Sequence, residues 1–162
     1  LHLSLRRQRQ MCIRDRKYTE QQYRDMLWTN LNGFFYITQP AVEAMLTQGS
    51  GHIVQITTTL VDHASSNVPS VLASLTKGGL AAATRSLAIE YASRNIRVNA
   101  VSPGIIKTPM HAPETHGALA ALHPMKRMGE VADVTQAVLY LEDAGFVTGE
   151  ILHVDGGQVA GA

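Results

Sequence analysis

Residues 76–110 read TKGGLAAATRSLAIEYASRNIRVNAVSPGIIKTPM, and this stretch decides the fold. Its first part completes a long helix whose apolar spacing starts at Ser70 and runs to Ala92. Residues 95–101 (NIRVNAV) then read as a strand, stopped by Ser102-Pro103-Gly104. Ile96, Val98, Ala100 and Val101 give it the apolar content of a strand covered on both faces.

Outward from that unit the same alternation continues. Upstream, Thr19 followed by Glu20, Gln21 and Gln22 reads as a helix N-cap with a capping box. The helix it opens is expected to reach about Leu46, with Tyr23, Met26, Leu27, Leu31, Phe34 and Phe35 at helical spacing. Gly49-Ser50-Gly51 ends it, and residues 52–58 (HIVQITT) read as another strand. A polar loop with Asp62, Ser65, Ser66, Asn67 and Pro69 leads on to the helix of residues 70–92. Downstream, Pro109, Pro113, Gly117 and Pro124 interrupt residues 105–129, which are expected to be irregular. A helix over 130–143 and a strand over 150–154 follow, closed by Asp155-Gly156-Gly157. Helices alternating with buried strands imply an α/β fold with a parallel sheet.

Composition narrows the function classes. With 162 residues, 45% hydrophobic and 17% charged, the chain has the size and balance of one globular domain. The net charge of +1 is unevenly spread: residues 1–16 hold five Arg and one Asp, and the rest is mildly acidic. No basic face for nucleic acid follows from that distribution. No apolar run approaches the roughly 20 residues that cross a bilayer. The lone Cys12 allows neither an internal disulfide nor a CxxC metal site, and a cytoplasmic setting is expected.

Five segments carry a resemblance when taken together and in order. They are WTNLNGFF (28–35), HIVQITT (52–58), the 76–110 stretch, RMGEVADV (127–134) and FVTGEILHVDGG (146–157). In these the chain resembles the short-chain dehydrogenase/reductase family over residues 18–157. The resemblance implies a partial doubly wound, Rossmann-type parallel sheet, with residues 17–162 as the C-terminal portion of one domain. It also implies hydride transfer between NAD or NADP and a carbonyl or secondary alcohol.

In that family Asn, Ser, Tyr and Lys carry the chemistry. Asn30 matches the asparagine that holds a relay water, and Lys77 the lysine that lowers the tyrosine pKa and meets the cofactor ribose. Thr58 stands at the serine position, where its hydroxyl can donate the same hydrogen bond to a carbonyl. The tyrosine position, four residues before Lys77, is Ala73. The fifteen positions from Thr58 to Ala73 exceed the family's usual spacing, and no tyrosine lies between Thr58 and Lys77. Ser70, Ser74, His63, His111 and His116 are the nearby candidates for a replacement proton donor, with His63 in the lengthened loop the leading one. Pro103, Gly104, Ile106 and Thr108 match the family's PGxxxT stretch beside the nicotinamide. Asn99 is expected to brace the strands. Residues 107–124 resemble a mobile substrate lid, lined by Met110, His111, Leu119 and Leu122. The run from Val154 to Gly157 is read as structural, and no metal site is expected.

The family's glycine-rich TGxxxGxG turn has no match, so the dinucleotide-binding half is expected to be missing, leaving a sheet edge uncovered. The helices over 19–46 and 70–92 are those with which relatives build a four-helix interface, which implies a homodimer or homotetramer for the parent protein. Residues 1–16 join the domain abruptly. They suit a mitochondrial presequence, a solvated basic tail or, best, a translated sequencing-adapter scar. A second function remains beside the oxidoreductase: a non-catalytic relative that binds or assembles, which Ala73 favours.

Overall fold

The computed structural model describes residues 15–161. Cys12 and nearly all of the 1–16 segment lie outside the described residues. Helix α1 (Glu20–Leu27) is opened by the capping box read from the sequence. The Thr19 hydroxyl accepts from the Gln22 amide at 3.2 Å, and the Gln22 side chain accepts from the Thr19 amide at 2.8 Å. The sequence reading made one helix of 19–46, but the structure inserts a π turn at Trp28–Asn32 before α2 (Gly33–Gln48). Periodicity cannot reveal such a turn, because one extra residue leaves the apolar positions on either side in helical spacing. Gly49 ends α2 with φ of +82°, a left-handed conformation that suits glycine.

Strand β1 (Gly51–Ile56), helix α3 (Val71–Tyr91) and strand β2 (Ile96–Pro103) follow close to the expected bounds. Residues 105–129 are largely irregular, as Pro and Gly there require, save a short helix α4 (His116–Ala121) and the 3₁₀ turn before it. Helix α5 (Val131–Asp143) and strand β3 (Ile151–Val154) complete the chain. The three strands are parallel in the order β1-β2-β3, with Val54 opposite Asn99 and Ala100 opposite Ile151.

Packing explains why Ala100 and Val101 of β2 are apolar. Ala100 faces Ala81 of α3 and Ile151, while its neighbour Val101 faces Ala137 and Leu141 of α5. Successive side chains of a strand point to opposite faces, so β2 is covered by a helix on each side. Ile96, Val98, Ala100 and Val101 are fully buried. Small residues at Ala81 and Thr84 let α3 lie close to the sheet.

Polar groups fasten the same layers. Asn99 is fully buried; its amide donates to the Val147 carbonyl at 2.9 Å and its oxygen accepts from the Glu150 amide at 3.0 Å. It also donates to His52 Nε2 at 3.0 Å, which leaves Nδ1–H to meet the Glu142 carboxylate at 2.6 Å. That hydrogen bond from His52 holds the Glu142 carboxyl below its ordinary range. The Arg97 guanidinium donates to the carbonyls of Leu141 and Glu142 at 2.6 and 2.7 Å. A cation there complements the carbonyl end of α5. Asn99 thus braces β2 against the segment entering β3, as the sequence suggested.

No helix among the described residues is long and apolar enough to cross a membrane. Replacing Asn99 by Ala removes its three part-buried hydrogen bonds, to the Val147 carbonyl, the Glu150 amide and His52. Each such bond contributes about 0.5 to 1.5 kcal/mol. Asn99→Ala is therefore expected to lower unfolding stability by about 2 to 4 kcal/mol in urea titration.

Candidate functional site

The π turn places Asn30 against α3. Its side-chain amide donates to Thr76 Oγ1 at 2.9 Å, and Thr76, fully buried, passes its own proton to the Leu72 carbonyl at 2.8 Å. π turns occur most often where a side chain must be re-aimed. Thr76 was not singled out from the sequence: a threonine inside a helix carries no signal that a side chain on another helix binds it.

Lys77 lies one residue further along α3. Its ammonium donates to the Ile56 carbonyl at the end of β1, at 2.7 Å. Among the described residues no carboxylate forms an ion pair with it, and burial pulls its pKa below the ordinary value. Asn30 and Lys77 share one cavity of about 310 Å³ between α2 and β1, lined also by Thr29, Ile37, Gln55 and Ile56.

Thr58 follows just beyond β1. The ladder continues one residue past Ile56, because the Thr57 amide donates to the Val101 carbonyl at 2.8 Å. Extending that register sets Thr58 level with Pro103 at the C-terminal end of the sheet. Ligands of open α/β sheets bind at that end. The three threonines divide their work. Thr57 donates to the Val101 carbonyl, Thr59 to the Gln158 side chain, and Thr58 accepts from the Leu60 amide at 3.4 Å. Only the Thr58 contact uses the hydroxyl as acceptor, which leaves its proton for another partner.

Ala73 is closed in rather than facing a void. It is 1% exposed and packs with Met26 and Leu72, with Tyr18 against the same cluster. The proposed substitutes do not gather there. The Ser74 hydroxyl is spent on the Leu60 carbonyl at 2.9 Å, and Ser70 sits at the start of α3 without capping it. His63 is not among the residues lining the Asn30–Lys77 cavity. His116 contacts the His111 carbonyl at 3.0 Å within the 107–124 segment, and burial together with the His116 charge lowers the His111 pKa.

The Pro103–Thr108 stretch is held at many points. The Gly104 amide donates to the Val154 carbonyl at 3.0 Å and the Lys107 amide to the Gly129 carbonyl at 2.7 Å. Ile106 bridges to Gly129, and Thr108 Oγ1 accepts from the Met110 amide at 3.4 Å. A Cβ on Gly104 would stand 2.9 Å from His123 Nε2 and 3.0 Å from Asp155 Cα, so only glycine fits. Among the residues expected from the sequence, Asn30 and Lys77 share one cavity, and the Pro103–Thr108 stretch does not line it. No group of three His, Cys, Asp or Glu able to hold a metal occurs among the described residues.

A family model described as enoyl-(acyl carrier protein) reductase matches residues 10–158. Carbonyl reductase family member 4 of Danio rerio is 46% identical over 132 residues, covering 82% of this chain and 54% of that protein. The 3-oxoacyl-[acyl-carrier-protein] reductase FabG of Aquifex aeolicus is 40% identical over 141 residues, covering 84% and 56%. Among solved structures, ElxO with NADP bound has a TM-score of 0.82 at 30% identity, covering 90% of this chain and 61% of that one. A 3-oxoacyl-[acyl-carrier protein] reductase of Brucella melitensis with bound NAD gives 0.83 at 29% identity, covering 92% and 56%. The chain spans about half the length of the curated relatives it matches.

The burial of Lys77 has a consequence for stability. A lysine whose folded pKa lies below its unfolded value releases its proton on folding within that window. Stability should therefore rise with pH between the lowered value and the ordinary 10.5. The slope should flatten in Lys77→Met, measured by denaturant midpoints across alkaline pH; an equal slope in both proteins would refute the assignment.

Proposed function

Because this chain belongs to the short-chain dehydrogenase/reductase family, we propose that it is the C-terminal portion of an NAD(P)-dependent oxidoreductase acting on a carbonyl or secondary alcohol, with its usual acid replaced by Ala73. The observation that carries the reading is the shared cavity of Asn30 and Lys77 beside the end of β1. An ammonium with no carboxylate pair among the described residues suits the hydroxyls of a ribose, and the Ile56 carbonyl it donates to fixes where it points. Pro103, Gly104, Ile106 and Thr108 would flank the nicotinamide ring through backbone held rigid by Val154 and Gly129. When bound, the nicotinamide supplies or accepts the hydride. The chain's own part is to orient and to move protons. Thr58 donates its hydroxyl proton to the substrate oxygen as a hydrogen bond, and Asn30 lies where a relay water would be held.

The dinucleotide-binding half, with its glycine-rich turn, would be supplied by sequence upstream, consistent with the relatives' greater length. Subunits would associate through α1–α2 and α3, as homodimer or homotetramer. Trp28, Phe35, Tyr36, Ile37, Leu75 and Ile89 are all more than half exposed on these helices. Apolar area of that kind marks an interaction surface.

Ala73 supports a second reading, a non-catalytic relative that binds or assembles. The position is packed shut by Met26 and Leu72, and among the described residues no side chain lining the Asn30–Lys77 cavity is a carboxylic acid, tyrosine or histidine. A positioned general acid contributes typically 10²- to 10⁴-fold in rate.

These readings separate in one set of measurements on the full-length protein. NAD(P)H consumption with a panel of ketones should be about 10²- to 10⁴-fold slower than in Ala73→Tyr. Cofactor binding without turnover in either protein would favour assembly. The 162-residue chain alone should bind NAD(H) and NADP(H) negligibly; a dissociation constant of about 1 μM by fluorescence titration would overturn the upstream-half reading. In sedimentation the full-length protein should run as dimer or tetramer, and a strict monomer would remove the interface.

A further inference from the structure

His123 is an imidazole with 1% exposure in a segment otherwise read as a surface lid. Its Nε2 accepts from the Ile105 amide at 3.0 Å, and its Nδ1 meets the Leu119 carbonyl of α4 at 3.2 Å. An amide can only donate and a carbonyl can only accept, so the ring is held with its proton on Nδ1 and Nε2 bare. The same ring abuts Gly104, where an added Cβ would sit 2.9 Å from Nε2, and Gly156, where it would sit 3.5 Å from the His123 Cβ. One side chain therefore joins the turn after β2, the helix of the lid and the turn after β3.

We propose that His123 is a positioning residue that fixes the backbone of residues 104–106 and couples it to the 107–124 lid through its neutral Nδ1–H ring. That this backbone faces a nicotinamide rests on the oxidoreductase reading; the coupling itself does not. Ile106 is separated from the histidine contact by one peptide unit, and its other side is clasped by Gly129, whose amide donates to the Ile105 carbonyl at 3.0 Å. Losing the His123 contact frees one side of that clasp. The contact needs the Nε2 lone pair, so only the Nδ1–H tautomer makes the lock.

The charged groups around the ring are already committed. His123 shares a cavity of about 330 Å³ with Arg127, Asp133, His153 and Asp155. Arg127 pairs with Asp133 at 2.7 Å and His153 with Asp62 at 3.1 Å. The Asp155 carboxylate accepts from the amides of Gly157 and Val159 at 2.9 and 2.8 Å. On the lid side His116 bonds the His111 carbonyl, and Lys126 meets His123 only through its backbone amide.

The test uses the 162-residue chain labelled with ¹⁵N. Ring-nitrogen spectra of the unsubstituted protein should show Nδ1–H and a bare Nε2; the opposite tautomer overturns the proposal without any variant. Amide exchange should then rise about tenfold in both 104–107 and 119–122 in His123→Leu, the equivalent of one buried hydrogen bond. Residues 98–101 should stay protected, and His123→Gln, whose amide oxygen reaches the Nε2 position, should remain near the parent. Equal loosening of all segments would overturn the coupling. Should His123→Leu fail to fold, the tautomer of the parent and the protection of residues 104–107 in His123→Gln still decide. A full-length protein that shows the lock but binds no nicotinamide would remove the oxidoreductase reading and leave the lock in place.

Discussion

Everything in this molecule leans on the enclosure of β2. A strand covered by α3 on one face and α5 on the other has its backbone satisfied only by the strands beside it. Its side chains must then be apolar and small enough for two helices to approach, or polar with every group matched. Ala100 and Val101 meet the first demand and Asn99 the second. Because β2 cannot shift without uncovering one face, the loops at its C-terminal end inherit a fixed origin. Thr58 and the turn after Pro103 are placed by that registration rather than by their own packing.

Much of this was legible in the residues. The strand at 95–101 follows from Ile96, Val98, Ala100 and Val101 ahead of Ser102-Pro103-Gly104, and the start of α1 from Thr19 and Gln22, because each is a local rule acting over a few positions. That Asn30 and Lys77 come together was readable only through resemblance, since nothing local says that an asparagine on one helix meets the helix beside it. The π turn was not legible, because five residues of wider winding leave no trace in composition. His123 was passed over for a related reason. A histidine between Leu122 and Pro124 looks like surface, and its burial depends on glycines at positions 104 and 156, distant in sequence and each leaving room for the ring.

The site itself is uneven. Its floor after β2 is held by amide and carbonyl contacts from three directions, whereas the wall at Ala73 is held by packing among Met26, Leu72 and Tyr18. Directional bonds fix positions to tenths of an ångström, and apolar contacts tolerate exchange of shape at modest cost. The two kinds of support therefore differ in what they allow. Backbone position is fixed closely after β2, and the packing around Ala73 leaves more latitude in side-chain shape.

The π turn at Trp28–Asn32 separates two problems that a regular helix must solve together. In an unbroken α-helix each residue advances the azimuth by about 100°, so docking one end on a neighbour dictates which residues the other end presents. One residue of extra winding breaks that dependence. Helix α1 can set Met26 against α3 while α2 sets Val42 and Thr38 inward on its own bearing. The two segments thus behave as separately adjustable parts along one axis, with Asn30 standing at the joint between them.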